Sequence, residues 1–216
     1  MIKRGVLLAR EYISEVLSFA YAKSWWALGK NERASKLAGL SSKLKSWGAS
    51  SNAAKAGLYN SLRGDSDVLL WLMCENPKDL MAAKLMAEES LSEHALWKAG
   101  FLSVYTSSKE KPEPDGKDYF VAYPMSKKPD WYLLGKEESK RIVADHVKIA
   151  VESSHNKGIT SYTTKSFGIA DYEFVVIYEI PNIFEWVAVT EELRSAEARK
   201  WITNEAPILT GIRMDV

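Results

Sequence analysis

Residues 64–77 read GDSDVLLWLMCENP, and residues 168–181 read GIADYEFVVIYEIP. One offset of 104 places Gly64 on Gly168, Asp67 on Asp171, Glu75 on Glu179 and Pro77 on Pro181. One residue further along, Trp26 falls on Trp131 and Leu28 on Leu133. A turn glycine, an apolar strand and a helix-opening proline held in one register mark two copies of a single unit. Outward from the first copy, the pattern predicts a strand over 12–23 and a helix over 28–47 stopped by Gly48. Strands follow over 56–62 and 67–75, then a helix over 79–98 closed by Gly100 and a strand over 101–106. The second half repeats the order: strand 119–123, helix 137–153, strands 159–165 and 172–179, helix 183–204 and strand 208–214. Each half is therefore a βαββαβ, ferredoxin-like unit, and the fold class is α+β, with antiparallel sheets covered by helices. The expected division is residues 1–106, a polar linker over 107–117 (SSKEKPEPDGK), and residues 118–216.

Composition limits the function. With 46% hydrophobic and 11% aromatic residues over 216 positions, the chain can fill a core. Lys+Arg 29 against Asp+Glu 28 leaves a net charge of +1, which offers no nucleic acid or anionic membrane a basic surface. The lone Cys74 excludes an internal disulfide framework and multi-cysteine metal sites, and its apolar run fits burial. The opening MIKRGVLLAREYIS holds too short an apolar run for a secretory signal, and no later stretch approaches the roughly 18 apolar residues of a membrane span. A soluble, cytoplasmic protein is expected.

Three histidines can be judged singly. His155 sits in a turn composition, SSHNKG. His94, between Leu91 and Trp97, suits the end of a helix. His146 has Ile142 and Val143 one turn before it and Ile149 and Ala150 one turn after, so it points where the core points. A core histidine and a metal ligand both satisfy that pattern. A ligand would need an acceptor behind its far ring nitrogen, and Glu197 in LRSAEAR is the candidate. The offset maps Lys127 onto Lys23 and Glu197 onto Glu93, but His146 onto Ser42, so a site of this kind belongs to the second half alone. Solvated charge accounts equally for Lys127 and Glu197, and ordinary sheet packing for Tyr123.

Four segments carry a resemblance: YPMSKKPDWYLL (123–134), the helix bearing His146, TTKSFGIADYEFVV (163–176), and LRSAEARKW (193–201) followed by Glu205, Pro207 and Gly211. In this order they resemble the chlorite dismutase family, which includes the coproheme decarboxylases; the first half matches in architecture only. The resemblance implies a dimeric α/β-barrel fold and a haem-dependent oxidoreductase, with haem b or iron coproporphyrin III bound in the second half. It makes His146 the iron ligand, backed by Glu197 and Lys127, and places Trp131 at the porphyrin edge. It makes Tyr123 the redox-active residue of a peroxide-driven decarboxylation, with Lys127 holding a propionate or managing protons. Family members that dismutate chlorite carry an arginine five residues before the Ser-Phe-Gly turn, and many decarboxylases a glutamine; Ser161 stands there. A serine offers no guanidinium fork, which argues against chlorite chemistry. The implied partners are a porphyrin, hydrogen peroxide and further copies of the chain, most often as a homopentamer, with no nucleic acid. A haem-binding protein that stores, delivers or senses haem without turnover is the alternative.

Overall fold

The computed structural model describes residues 9–107 and 116–214. Residues 1–8 of the opening stretch and 108–115 of the expected linker lie outside the described residues. The first half runs β1 (Arg10–Tyr21), α1 (Lys23–Ala27), α2 (Lys30–Ser50), β2 (Lys55–Ser61), β3 (Val68–Cys74), α3 (Pro77–Leu91) and β4 (Ala95–Ser107). The second runs β5 (Tyr119–Lys127), α4 (Lys136–Glu152), β6 (Thr160–Lys165), β7 (Phe174–Ile180), α5 (Ile183–Glu192), β8 (Ile202–Asn204) and β9 (Leu209–Arg213).

Antiparallel pairing gives the order β4-β1-β3-β2 in one half and β9-β5-β7-β6 in the other, the same ferredoxin-like arrangement twice. The halves then join at both edges, β2 to β9 and β4 to β6, so the sheet closes into a barrel and those edges are paired. At the first seam a Cβ on Gly211 would lie 2.9 Å from the Asn60 carbonyl oxygen, so the close approach of β9 requires glycine. Short β8 pairs with the end of β5 at Ser126 and Lys127.

Strand alternation gives the sheet two faces. Tyr12, Tyr59, Trp71, Phe120 and Tyr162 fill the barrel interior, where the Tyr59 and Phe120 rings stack at 4.6 Å. Outside the first half, Leu17, Leu70 and Leu72 pack against Leu40 and Leu44 of α2 and Leu80, Ala83 and Ala87 of α3. β3 is buried on both faces, which is why VLLWLMC shows no polar alternation. Cys74 is buried there, and burial pushes its thiol pKa up to about 11, the behaviour of an inert cysteine.

Three boundaries differ from the sequence reading. Gly48 does not stop α2, which continues to Ser50; a Cβ at Gly48 would come 3.3 Å from that of Ala56, so this glycine serves packing against β2. The helix expected over 79–98 ends at Leu91, where Ser92 turns to φ 45°, and residues from Ala95 form β4 because β1 needs a partner along its whole length. The helix expected over 183–204 ends at Glu192. Two 3₁₀ turns and β8 follow, drawn out by pairing with β5. No helix among the described residues is long and apolar enough to cross a membrane.

Candidate functional site

The two halves differ in what covers the outer face of the sheet. In the first, α2 and α3 lie on β2, β3 and β1. In the second, α4 and α5 pack mainly against 3₁₀ turns at Ser154–Asn156, Leu193–Ser195 and Glu197–Trp201, and neither contributes to the two buried core clusters. Apolar side chains stay open as a result: Val143, Val147 and Val151 on α4, and Phe184 and Val187 on α5, with Phe184 80% exposed. Such uncovered surface on one copy of a duplicated unit marks a place for a ligand or partner.

α4 begins after Gly135 with Glu137 and Glu138 in its first turn, where carboxylates suit the helix dipole. Its Ile142, His146 and Ile149 share a face; Ile142 is buried and His146 half-buried. The His146 Nδ1 atom is out of contact with solvent and has no hydrogen-bond partner. Burial lowers the His146 pKa, and Arg199 and Lys127 lower it further against the pull of Asp145 and Glu205. The neutral imidazole, the form that ligates a metal, is therefore favoured. Among the described residues no three His, Cys, Asp or Glu side chains gather around a metal position. A metal here would take one ligand from this chain, which suits a macrocycle that brings its own donors.

Tyr123 and Tyr178 stand on the outer face of the same sheet, on β5 and β7. Phe120 and Ala122 point into the barrel, so Val121 and Tyr123 face outward. The Tyr123 and Tyr178 rings lie with centroids 6.3 Å apart and planes inclined by 27°, and their hydroxyls act on one another's ionisation. Burial raises the Tyr123 pKa strongly, Tyr178 and Glu205 add to the rise, and Arg199 opposes it. Tyr123 is thus held as a neutral phenol that can give up hydrogen but not a proton alone.

Lys127 closes β5, its backbone N–H donating to a Glu173 carboxylate oxygen at 2.8 Å. Its ammonium lies 3.2 Å from the centroid of the Trp131 ring. Burial pushes its pKa down to about 8 against the raising effect of Glu173. Trp131 is buried under that ammonium and against Trp201, at 5.8 Å. Ser161 is exposed on β6, directly across from Tyr178, and its hydroxyl eases the rise of the Tyr178 pKa.

Glu197 lies in a 3₁₀ turn, not on the last helix as expected, and its carboxylate takes a 2.7 Å hydrogen bond from Arg141, while the His146 Nδ1 has no partner. The carboxylate that acts on both His146 and Tyr123 is Glu205. Arg199 clasps it at 2.5 and 2.7 Å, with Arg194 at 3.4 Å. Burial raises the Glu205 pKa, but the two arginines outweigh it and hold the group ionised. Tyr178 and Arg199 escape a sequence reading. Alternation in YEFVVIYE puts Tyr178 on one face with Val176 and Phe174, yet only the strand register brings that face to Tyr123.

The other two histidines stand apart. His94 is buried in the first half, its Nδ1 3.2 Å from the Ser24 hydroxyl. His155 hydrogen-bonds Glu185 at 2.7 Å, which raises its pKa, and it ties the end of α4 to α5.

A closed barrel of two ferredoxin-like halves, with one polar and aromatic site beneath a single imidazole, defines the structural class. The chain belongs to the chlorite dismutase family, whose model matches residues 30–214. It is 40% identical to the solved structure designated TA0507, carried under the same family name, with a TM-score of 0.85 and 95% of both chains covered. A heme-binding protein from Thermus thermophilus shares the fold at 16% identity, with a TM-score of 0.79 and coverage of 97% and 94%. Among curated relatives, the coproheme decarboxylase of Mycolicibacterium smegmatis is 28% identical over 173 residues, 74% of this chain and 73% of the relative. That of Staphylococcus carnosus is 24% identical over 164 residues, 65% of each.

Proposed function

We propose that the protein binds an iron porphyrin against the outer face of β5, β6 and β7, and that it is a coproheme decarboxylase driven by hydrogen peroxide. The observation that supports this most is the unpaired, half-buried His146 on a helix held off the sheet, in the neighbourhood of Lys127, Arg199 and Glu205. The relatives named coproheme decarboxylase point the same way.

His146 would hold the iron, and the bound porphyrin iron supplies the oxidising power of peroxide. The chain supplies the rest. Tyr123, kept protonated by burial, would give up a hydrogen atom, and its phenoxyl would take one from the β-carbon of a propionate side chain. The carboxylate of that side chain would leave as carbon dioxide and the two remaining carbons become a vinyl group, the second electron being taken up by the second oxidising equivalent of peroxide. Lys127 offers a single cation to the carboxylate of that propionate. Ionised Glu205, neutralised by Arg199, fixes the charge beside both His146 and Tyr123. Chlorite dismutation is not supported, because Ser161 provides no fork of donors and Arg199 is already spent on Glu205. A cytoplasmic homo-oligomer, a pentamer by family habit, belongs to the same proposal; native mass spectrometry counts the copies.

Iron coproporphyrin III, mixed with the protein and peroxide, is expected to lose carbon dioxide stepwise by product mass. Tyr123→Phe is expected to abolish that loss, because phenylalanine has no O–H hydrogen to give up. Unchanged porphyrin mass in a protein that shows a Soret band would favour binding without turnover and end the decarboxylase reading.

Lys127 adds a pH dependence. With a pKa of about 8 it is charged below that pH and neutral above it, and only the charged form attracts a carboxylate. Coproheme affinity, read from the Soret band, is expected to fall by up to about tenfold per pH unit above 8. Lys127→Met should flatten that slope; a slope that survives the substitution would remove Lys127 from carboxylate binding.

A further inference from the structure

The outer face holds a second phenol that the proposed reaction leaves unused. Tyr178 faces Ser161 across the β6–β7 ladder, and its ring lies beside that of Tyr123, centroids 6.3 Å apart. Its hydroxyl is turned to those of Tyr123 and Ser161, each of which acts on its ionisation. On its other side the Trp186 indole of α5 covers it at 4.3 Å. A half-buried phenol set beside two other hydroxyls and roofed by an indole is more than packing requires.

We infer that Tyr178 is a second redox-active residue, exchanging a hydrogen atom with Tyr123 across their hydroxyl contact. This rests on the reading of Tyr123 as the phenol that is oxidised. In the exchange the O–H bond of Tyr178 breaks and the O–H bond of Tyr123 forms, one proton and one electron moving together. No further oxidant is consumed beyond the equivalent that peroxide has placed on Tyr123. Two phenols have similar O–H bonds, so the exchange is close to balanced. Moving the electron alone would leave an uncompensated charge between half-buried rings, which is costly. Burial likewise raises the pKa of both phenols, so loss of a proton alone is opposed. The Ser161 hydroxyl can donate to the Tyr178 oxygen whether or not that oxygen carries hydrogen. The oxidising equivalent is thereby held at two positions along the sheet.

The hydroxyl contact is tested first in the cofactor-free chain labelled with ζ-13C tyrosine. The signal missing from Tyr123→Phe identifies Tyr123, and it is expected to shift in Tyr178→Phe while that of Tyr59, inside the barrel, stays in place. An unmoved Tyr123 signal would overturn the inference. The haem-loaded protein carrying 3-fluorotyrosine in place of Tyr178 is then frozen after mixing with peroxide and examined by electron paramagnetic resonance. The organic radical is expected to show fluorine hyperfine splitting. A radical without that splitting overturns the role of Tyr178 alone. No organic radical at all overturns the reading of Tyr123, and this inference with it.

Discussion

Glu179→Ala is expected to destabilise the fold by about 3–5 kcal/mol, the cost of removing one partner from a buried ion pair. In a chain of this size that lowers Tm by roughly 10 °C. Glu179 is 1% exposed on the inner face of β7. It accepts from the Lys55 ammonium at 2.6 Å, from Arg213 at 3.1 Å and from the Tyr162 hydroxyl at 3.2 Å. Lys55, itself buried, also lies 4.9 Å from the centroids of both the Trp71 and Tyr162 rings. Loss of the carboxylate strands that ammonium among aromatic rings inside the barrel, far from water. Arg213 is partly exposed and can turn outward, so Lys55 sets the cost. The double variant Lys55→Met, Glu179→Leu is expected to be milder than Glu179→Ala, since it removes both charges together. Urea unfolding measures both. A Glu179→Ala protein within about 1 kcal/mol of the parent, the scale of an exposed pair, would show that the pair holds nothing together.

This same contact shows what a repeat in the sequence can and cannot reveal. Turn glycines, apolar strands and helix-opening prolines recur at one offset because each half must satisfy the same local geometry, so both ferredoxin-like units are legible. The closure is not. Lys55 and Glu179 stand 124 residues apart, on strands β2 and β7, and the seams β2–β9 and β4–β6 leave no spacing in the sequence. The misplaced helix ends have a related cause. ALWK at 95–98 suits a helix by composition, but β1 has backbone groups that need a partner, and tertiary pairing wins. EARKW at 197–201 keeps a helical turn, of 3₁₀ form, before β8 pairs with β5. In the site, the helix face of His146 and the strand of Tyr123 and Lys127 can be read from the sequence, whereas the roles expected of the three rest on the resemblance. Glu197 misleads because only the fold shows Arg141 taking its carboxylate, and only the register brings Tyr178 beside Tyr123.

His146→Ala is expected to abolish the Soret band formed on adding haem or coproheme, while leaving Tm close to that of the parent. Loss of the sole protein ligand should exceed the roughly 10–100-fold that removal of an outer partner costs a metal site. Comparison with the other histidines separates ligation from packing. His94 is buried beside Trp25 and Ser24, so His94→Ala is expected to cost about 1–2 kcal/mol of stability and leave the Soret band intact. His155 forms a partly exposed pair with Glu185, and its replacement should cost less than about 1 kcal/mol with no spectral effect. His146 differs from both because its buried Nδ1 has no partner. A side chain kept only for packing would lose stability when truncated; one kept for a ligand would lose the ligand. If His146→Ala binds porphyrin with an unaltered spectrum, the iron is held elsewhere, and the roles drawn for Tyr123 and Lys127 lose the position that relates them to it.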